Sequence, residues 1–162
     1  MRYRPFGRSG IALSTIGLRL NAERLRKNHG LAQKLILTAL ENGINPYHIE
    51  TTDPAFLKAA AEIFAVVERK LLFISMNAHE PQQAPDRAAY TFAPLRERLR
   101  AIIKDSGLQW IDLLMFATPG AGDLPEDSLD FLRTLQKSRM LRYLGAQAET
   151  EEIQALVKGG QF

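Results

Sequence analysis

The chain has 162 residues, of which 46% are hydrophobic, and a formal net charge of +3, which suits one domain with a sizeable core. It contains no cysteine, so disulfides, thiolate catalysis and cysteine-based metal sites are excluded. No stretch approaches the ~20 apolar residues of a membrane span, and the N-terminus lacks the apolar run of a signal peptide. A cytoplasmic protein that does not enter a membrane is therefore expected.

The positive charge is concentrated near the N-terminus. Residues 1–27 hold seven Lys/Arg and one acid, whereas the remainder holds fourteen Lys/Arg and seventeen acids. The cations Arg19, Arg24, Arg26 and Lys27 could form an anion site, or they could belong to a solvated loop. Because no stacking aromatic residues are interleaved with them, the solvated loop is favoured and nucleic-acid binding is not expected.

Apolar runs and turn residues predict a β-hairpin followed by alternating strands and helices. The hairpin strands are 3–6 and 11–14, and the later strands are 15–20, 44–51, 71–76, 111–116 and 141–146. The predicted helices are 31–42, 54 to about 69, 91–106, 125–138 and 150–158. Such alternation implies βαβ crossovers and a parallel sheet, and by itself it leaves open a doubly wound sheet or a barrel. The single Gly17 after the hairpin counts against a Rossmann dinucleotide fingerprint.

Local signals refine these elements. Asp53 followed by Pro54 is typical of a helix start. The first helix is expected to bury one face, which carries Leu31, Leu35, Leu37, Ala39 and Leu40. The segment 77–89, with two prolines and two glutamines, is expected to be an exposed loop with His79 as a solvated side chain.

Four stretches resemble the aldo-keto reductases. They are residues 3–18 (YRPFGRSGIALSTIGL), 39–45 (ALENGIN), 107–114 (GLQWIDLL) and 141–145 (LRYLG). The resemblance implies an α/β fold, namely a partial (β/α)8 TIM-type barrel of about five βα units preceded by an N-terminal β-hairpin. It also implies a single domain over residues 1–162 and a relationship to NADPH-dependent carbonyl oxidoreductases.

The residues that match the family's catalytic positions do not keep its chemistry. In that family an acid ends the second strand, a tyrosine donates a proton to the carbonyl, a lysine lowers the tyrosine pKa and a histidine orients the substrate. The resemblance places Glu50 at the acid, Phe56 at the tyrosine, Asn77 at the lysine and Ala117 at the histidine. Because a phenol without a nearby cation is a weak acid, a catalytically inactive relative is predicted. The alternative is an active NAD(P)H-dependent oxidoreductase that uses displaced groups such as Tyr47 or Glu50.

The cofactor positions also depart from the family. Arg19 replaces a glycine of the first strand, and Gln147 stands where a serine–asparagine pair would bind the nicotinamide amide, so NADP is implied by resemblance only. At the mouth of the barrel, Arg19 is expected to pair with Glu50, as a structural ion pair or as the remnant of a ligand site. His48 and Glu50 offer two metal ligands, which are too few for a tight site, so no metal is predicted.

Five of eight barrel units would leave two unpaired sheet edges. Self-association or a missing C-terminal segment would cover them, and the residues 159–162 resemble the family's lead-in to a sixth strand. An interaction module that assembles through these edges is therefore the remaining alternative function.

Overall fold

The computed structural model describes residues 1–20, 25, 28–79 and 84–160. The chain opens with the predicted hairpin, in which β1 (Tyr3–Pro5) pairs antiparallel with β2 (Ala12–Ser14). Two glycines with positive φ angles, Gly7 and Gly10, turn the chain between these strands, a conformation that costs glycine little.

The five later strands form one parallel sheet, in which each strand hydrogen-bonds the next along the chain. They are β3 (Leu18–Leu20), β4 (Pro46–Ile49), β5 (Phe73–Asn77), β6 (Ile111–Ala117) and β7 (Leu141–Gln147). Among the described residues, β3 and β7 each have a single neighbouring strand. The predicted α/β fold, a hairpin followed by five βα units of a partial TIM-type barrel, is confirmed.

A helix follows each strand of this sheet. The helices are α1 (His29–Glu41), α2 (Pro54–Phe64), α3 (Phe92–Asp105), α4 (Glu126–Lys137) and α5 (Thr150–Gly159). Asp53 caps α2 as predicted, since its Oδ1 accepts a hydrogen bond from the Phe56 amide at 2.9 Å. No helix in the described part of the chain is long and apolar enough to cross a bilayer.

Two helices differ from their predictions. Helix α2 ends at Phe64 and does not continue to Arg69. The Arg69 guanidinium instead hydrogen-bonds the carbonyl oxygens of Leu108 and Trp110. The predicted buried face of α1 is wrong in part: Ala39 is buried as predicted, but Leu31, Leu35 and Leu37 are exposed, and Ala32 and Ile36 are buried instead. The sequence of α1 carries apolar residues around most of its circumference, so the pattern did not select one face.

The core lies between the sheet and the helices. Alternate strand residues point into it and are at most 1% exposed, namely Tyr47, Ile49, Ile74, Met76, Leu114 and Phe116. The residues between them face the other way, toward the interior of the partial barrel, and are half-buried: His48, Ser75, Asn77, Leu113 and Met115. Any site at the barrel mouth is therefore built from the second set.

Candidate ligand site at the carboxyl ends of the strands

Strand register places the predicted site residues at one end of the sheet. Asn77 pairs with Met115, which pairs with Gly145, and Ala117 pairs with Gln147 one step further out. Glu50 directly follows β4, whose last residue pairs with Met76. The carboxyl ends of parallel strands are where barrel enzymes build their sites, so these residues form the mouth of the partial barrel.

Arg19 and Glu50 are in contact, as predicted. The Arg19 Nε donates to Glu50 Oε1 at 2.7 Å, and the Nη2 group forms a salt bridge with the same oxygen. The Arg19 side chain is 70% exposed, whereas that of Glu50 is 9% exposed. The pair therefore holds a nearly buried carboxylate with a cation that lies largely in solvent.

His48 lies one step deeper on the same face of the sheet. Its Nδ1 is 3.0 Å from Ser75 Oγ, and that hydroxyl donates to the Tyr47 carbonyl at 3.3 Å. The hydroxyl oxygen is then the acceptor, which assigns the Nδ1–H form to His48. Burial lowers the pKa of His48, Glu50 partly offsets this effect, and Arg19 adds to it. The imidazole is thus neutral, but its Nδ1 carries a proton toward Ser75 and cannot take the proton of that hydroxyl as a nucleophile's base would.

The remaining predicted positions are not equivalent. Asn77 and Ala117 are half-buried at the ends of neighbouring strands, and Gln147 is exposed at the end of β7. Phe56 lies in the first turn of α2, is fully buried, and has its ring 6.2 Å from that of His29. It belongs to the core beneath the mouth, so the structure does not bring it together with Asn77 and Ala117.

A tyrosine–histidine pair at the mouth was not anticipated. Tyr90 is fully buried, accepts a hydrogen bond from the Ala117 amide at 3.0 Å, and places its hydroxyl 3.0 Å from His79 Nδ1. Burial raises the pKa of Tyr90. The interpretation of His79 as a solvated residue is wrong, because it is half-buried against this phenol. The end of this segment folds inward as a short 3₁₀ helix, Ala88–Tyr90, in which Ala89 and Tyr90 are buried.

A second polar network lies at the opposite end of the sheet. The carboxylate of Asp112 is fully buried and accepts from Arg69 Nη2 at 2.8 Å, the Ile74 amide at 2.9 Å, Trp110 Nε1 at 3.0 Å and Arg142 Nη1 at 3.0 Å. Both guanidinium groups also lie over the Trp110 ring, 4.3 and 4.7 Å from its centre. This end of a barrel serves stability and not chemistry.

The groups that could hold a metal or cofactor are few. In the described residues no three His, Asp or Glu side chains are arranged to bind a metal ion. At the strand ends implied for the nicotinamide, Arg19 is occupied by Glu50 and the Gln147 side chain is exposed at the sheet edge. Whether these two positions contact a nicotinamide stays a prediction. The cations at positions 24, 26 and 27 of the predicted anion site lie outside the described residues.

Comparison with known proteins gives structural neighbours only. No family model matches the sequence, and no curated protein matches it significantly. The aldo-keto reductase AKR11C1 from Bacillus halodurans, in its holo form, superposes with a TM-score of 0.74 and 16% identity over 98% of this chain and 54% of its own. The thermostable aldo-keto reductase Tm1743, in complex with the inhibitor epalrestat, has a TM-score of 0.64 and 19% identity over 90% of this chain and 53% of its own.

The chain spans about half the length of these two solved structures. At such low identities the likeness concerns the fold alone, because proteins of one fold can differ in function and the function depends on the residues of the site. The hairpin, the five βα units and the superpositions agree with the resemblance found in the sequence. The chain has the fold of an aldo-keto reductase over about half the length of one.

Proposed function

We propose that this chain is a catalytically inactive, cytoplasmic relative of the NADPH-dependent carbonyl oxidoreductases. The fold and the four sequence stretches support the relationship, and the lack of cysteine suits the cytoplasm. The main support for inactivity is the burial and hydrogen bonding of the tyrosine side chains. A carbonyl reductase of this family needs a hydroxyl that can reach the substrate, and the chain has only four tyrosines.

Two of these tyrosines are enclosed. Tyr47, the displaced donor of the alternative hypothesis, is fully buried, donates to the Ile44 carbonyl at 2.7 Å and packs against Phe64. Burial raises its pKa further. Tyr90 is also fully buried, and its hydroxyl is hydrogen-bonded by Ala117. Both phenols are therefore shielded by the surrounding protein, and we expect neither hydroxyl to reach a substrate.

The other two tyrosines lie at the hairpin end of the sheet. Tyr3 donates to the Gly43 carbonyl at 2.8 Å, and the Tyr143 ring packs against Phe6 and Phe73. The lysine and histidine positions hold Asn77 and Ala117. Loss of one general acid alone costs roughly 10²–10⁴ in rate, so loss of three cooperating groups supports little family-type chemistry.

The test is NADPH consumption with a panel of aldehydes and ketones. We expect the rate to equal that of the protein-free solution, and we expect no saturable change in nicotinamide fluorescence on titration with NADPH. Turnover that is lost in Glu50→Gln, with Arg133→Gln on the outer surface as the matched control, would establish a reductase with displaced groups. Saturable NADPH binding by the wild-type protein would also contradict the proposal.

A second proposal concerns assembly. The edges β3 and β7 have one neighbour each within the described residues, and Leu113, Met115 and Tyr143 on the inner face are only half-buried. Unpaired edges and apolar inner faces favour pairing with another chain or segment. We expect light scattering to show a mass that rises with protein concentration. A monomer at all concentrations would argue against self-association through these edges.

A further inference from the structure

An apolar groove crosses the outer surface between α3 and α4, away from the barrel mouth. Its volume is about 290 Å³, and its floor is formed by Leu99, Ile103, Phe131, Leu135 and Met140. Met140 is 42% exposed. Exposed apolar surface in a concave site marks a place where another molecule can bind.

One side of this groove carries a row of cations. Arg96, Arg100 and Lys104 all line it and are exposed. They are four residues apart on α3, so they lie on one face and rise about 6 Å at each step, or about 12 Å over the row. No carboxylate lines the groove.

The positive row is not neutralised by neighbouring acids. In the part of the chain that the structure describes, none of the three cations forms a salt bridge. Two carboxylates of α4, Glu126 and Asp130, both bind Arg133. The groove therefore combines an apolar floor with a row of cations along one side.

We propose that this groove binds an acidic amphipathic helix of a partner protein. An amphipathic helix places apolar residues three and four positions apart into such a groove. Carboxylates spaced four residues apart along its flank then meet Arg96, Arg100 and Lys104 at the same pitch. A single anionic headgroup would need only one or two of these cations, so the repeated spacing favours a helix over a lipid.

The size of the groove limits the affinity. Its volume of about 290 Å³ is just below the roughly 300–1,000 Å³ of ligand pockets, so it holds only a few apolar side chains. Exposed ion pairs add little each and are screened by salt. Binding is therefore weak, transient and reduced by added salt.

The probe is a fluorescein-labelled helical peptide with leucines on one face and glutamates on the flank, titrated with the full chain by fluorescence anisotropy. Its matched control keeps the leucines and carries lysines in place of the glutamates. The wild-type protein is expected to bind the glutamate peptide saturably and the lysine peptide at least about tenfold more weakly, equivalent to ~1.4 kcal/mol.

Two variants test whether the peptide binds in the groove. Arg100→Glu reverses the central charge and Met140→Asp introduces a negative charge on the floor; both positions are exposed, so the fold is retained, which circular dichroism melting checks. Each is expected to weaken binding about tenfold or more. Lys58→Glu, an equal charge reversal at an exposed position of α2, leaves binding unchanged.

Several results would overturn the proposal. They are an absence of saturable binding by the wild-type protein, equal binding of the two peptides, and undiminished binding by Arg100→Glu. A concentration-dependent mass that Arg100→Glu abolishes would assign the groove to a second copy of this chain. Binding to phosphatidylglycerol vesicles that the same variant abolishes, without peptide binding, would assign it to a membrane surface.

Discussion

At the scale of single residues, Asp112 is a buried carboxylate that accepts hydrogen bonds from four donors. Asp112→Asn keeps the shape of the side chain but removes the charge opposite Arg69, whose side chain is only 9% exposed. Removing one partner of a buried ion pair costs about 3–5 kcal/mol. We expect that loss in the free energy of unfolding, measured by urea denaturation.

The matched control for this change is Asp123→Asn. Asp123 pairs with Arg87 at 3.1 Å, and both side chains are largely exposed. Exposed pairs contribute about 0–1 kcal/mol. Equal losses in the two variants would show that burial of Asp112 is not what makes its charge important.

His48 gives the chain a predicted pH dependence. Because burial lowers its pKa in the folded state, the unfolded chain binds a proton more readily than the folded one below the ordinary histidine value of about 6.5. The stability contribution of the neutral imidazole is present above that pH and is lost as the pH falls toward the folded-state pKa. We expect urea midpoints at pH 7.5 and 5 to differ less in His48→Gln than in the wild type. An unchanged difference would remove His48 from the pH dependence.

At the scale of elements, the sequence predicted the strands β1–β7 and the helices α1–α5, because each carries a strong local signal, whereas the short 3₁₀ helices were not predicted. A continuous apolar run such as residues 111–116 is typical of a strand buried in a parallel sheet, and Asp53 with Pro54 starts α2 as the capping rule requires. The sequence did not predict which side of helix α1 is buried. Which side of α1 faces the sheet depends on tertiary packing, and its sequence is apolar on most sides.

Helix α1 offers a direct test of this correction. Ile36 is fully buried, whereas Leu35 is 38% exposed. We expect Ile36→Ala to lower the free energy of unfolding by about 2–5 kcal/mol through a core cavity. Leu35→Gln should change it by less than about 0.5 kcal/mol. Denaturant midpoints measure both, and a larger loss for Leu35→Gln would restore the face predicted from the sequence.

In the candidate site, too, one contact could be predicted from the sequence and another could not. The Arg19–Glu50 contact was predictable because both residues stand at neighbouring strand ends, whose register brings them together. The Tyr90–His79 pair was not, because His79 lies in the segment 77–89, whose composition indicates an exposed loop, and Tyr90 directly follows it. Composition reports average exposure, and it does not tell which side chain of a loop folds back onto a strand end.

At the scale of the whole molecule, the hairpin is what closes the partial barrel at its amino end. The Phe6 ring packs against Phe73 of β5 at 4.9 Å and Tyr143 of β7 at 5.4 Å. The Asn45 side chain binds β2 through the Ser14 amide and the Ala12 carbonyl, each at 2.8 Å. One short hairpin thus connects strands that are not neighbours in the sheet.

This arrangement predicts that the hairpin stabilises the chain far beyond its own two strands. Phe6→Ala removes the ring that joins β5 and β7; because Phe6 is half-buried, we expect a loss of about 2 kcal/mol, less than the ~3–5 kcal/mol of a fully buried phenylalanine. Tyr3→Phe, which removes only an exposed hydrogen bond to Gly43, should cost no more than about 1 kcal/mol. Loss of the Phe6 ring should also raise binding of the dye anilinonaphthalene sulfonate, since apolar surface of Phe73 and Tyr143 is uncovered. If Phe6→Ala unfolds at the wild-type urea midpoint, the sheet is stable without the Phe6 contacts, and the hairpin does not stabilise the barrel.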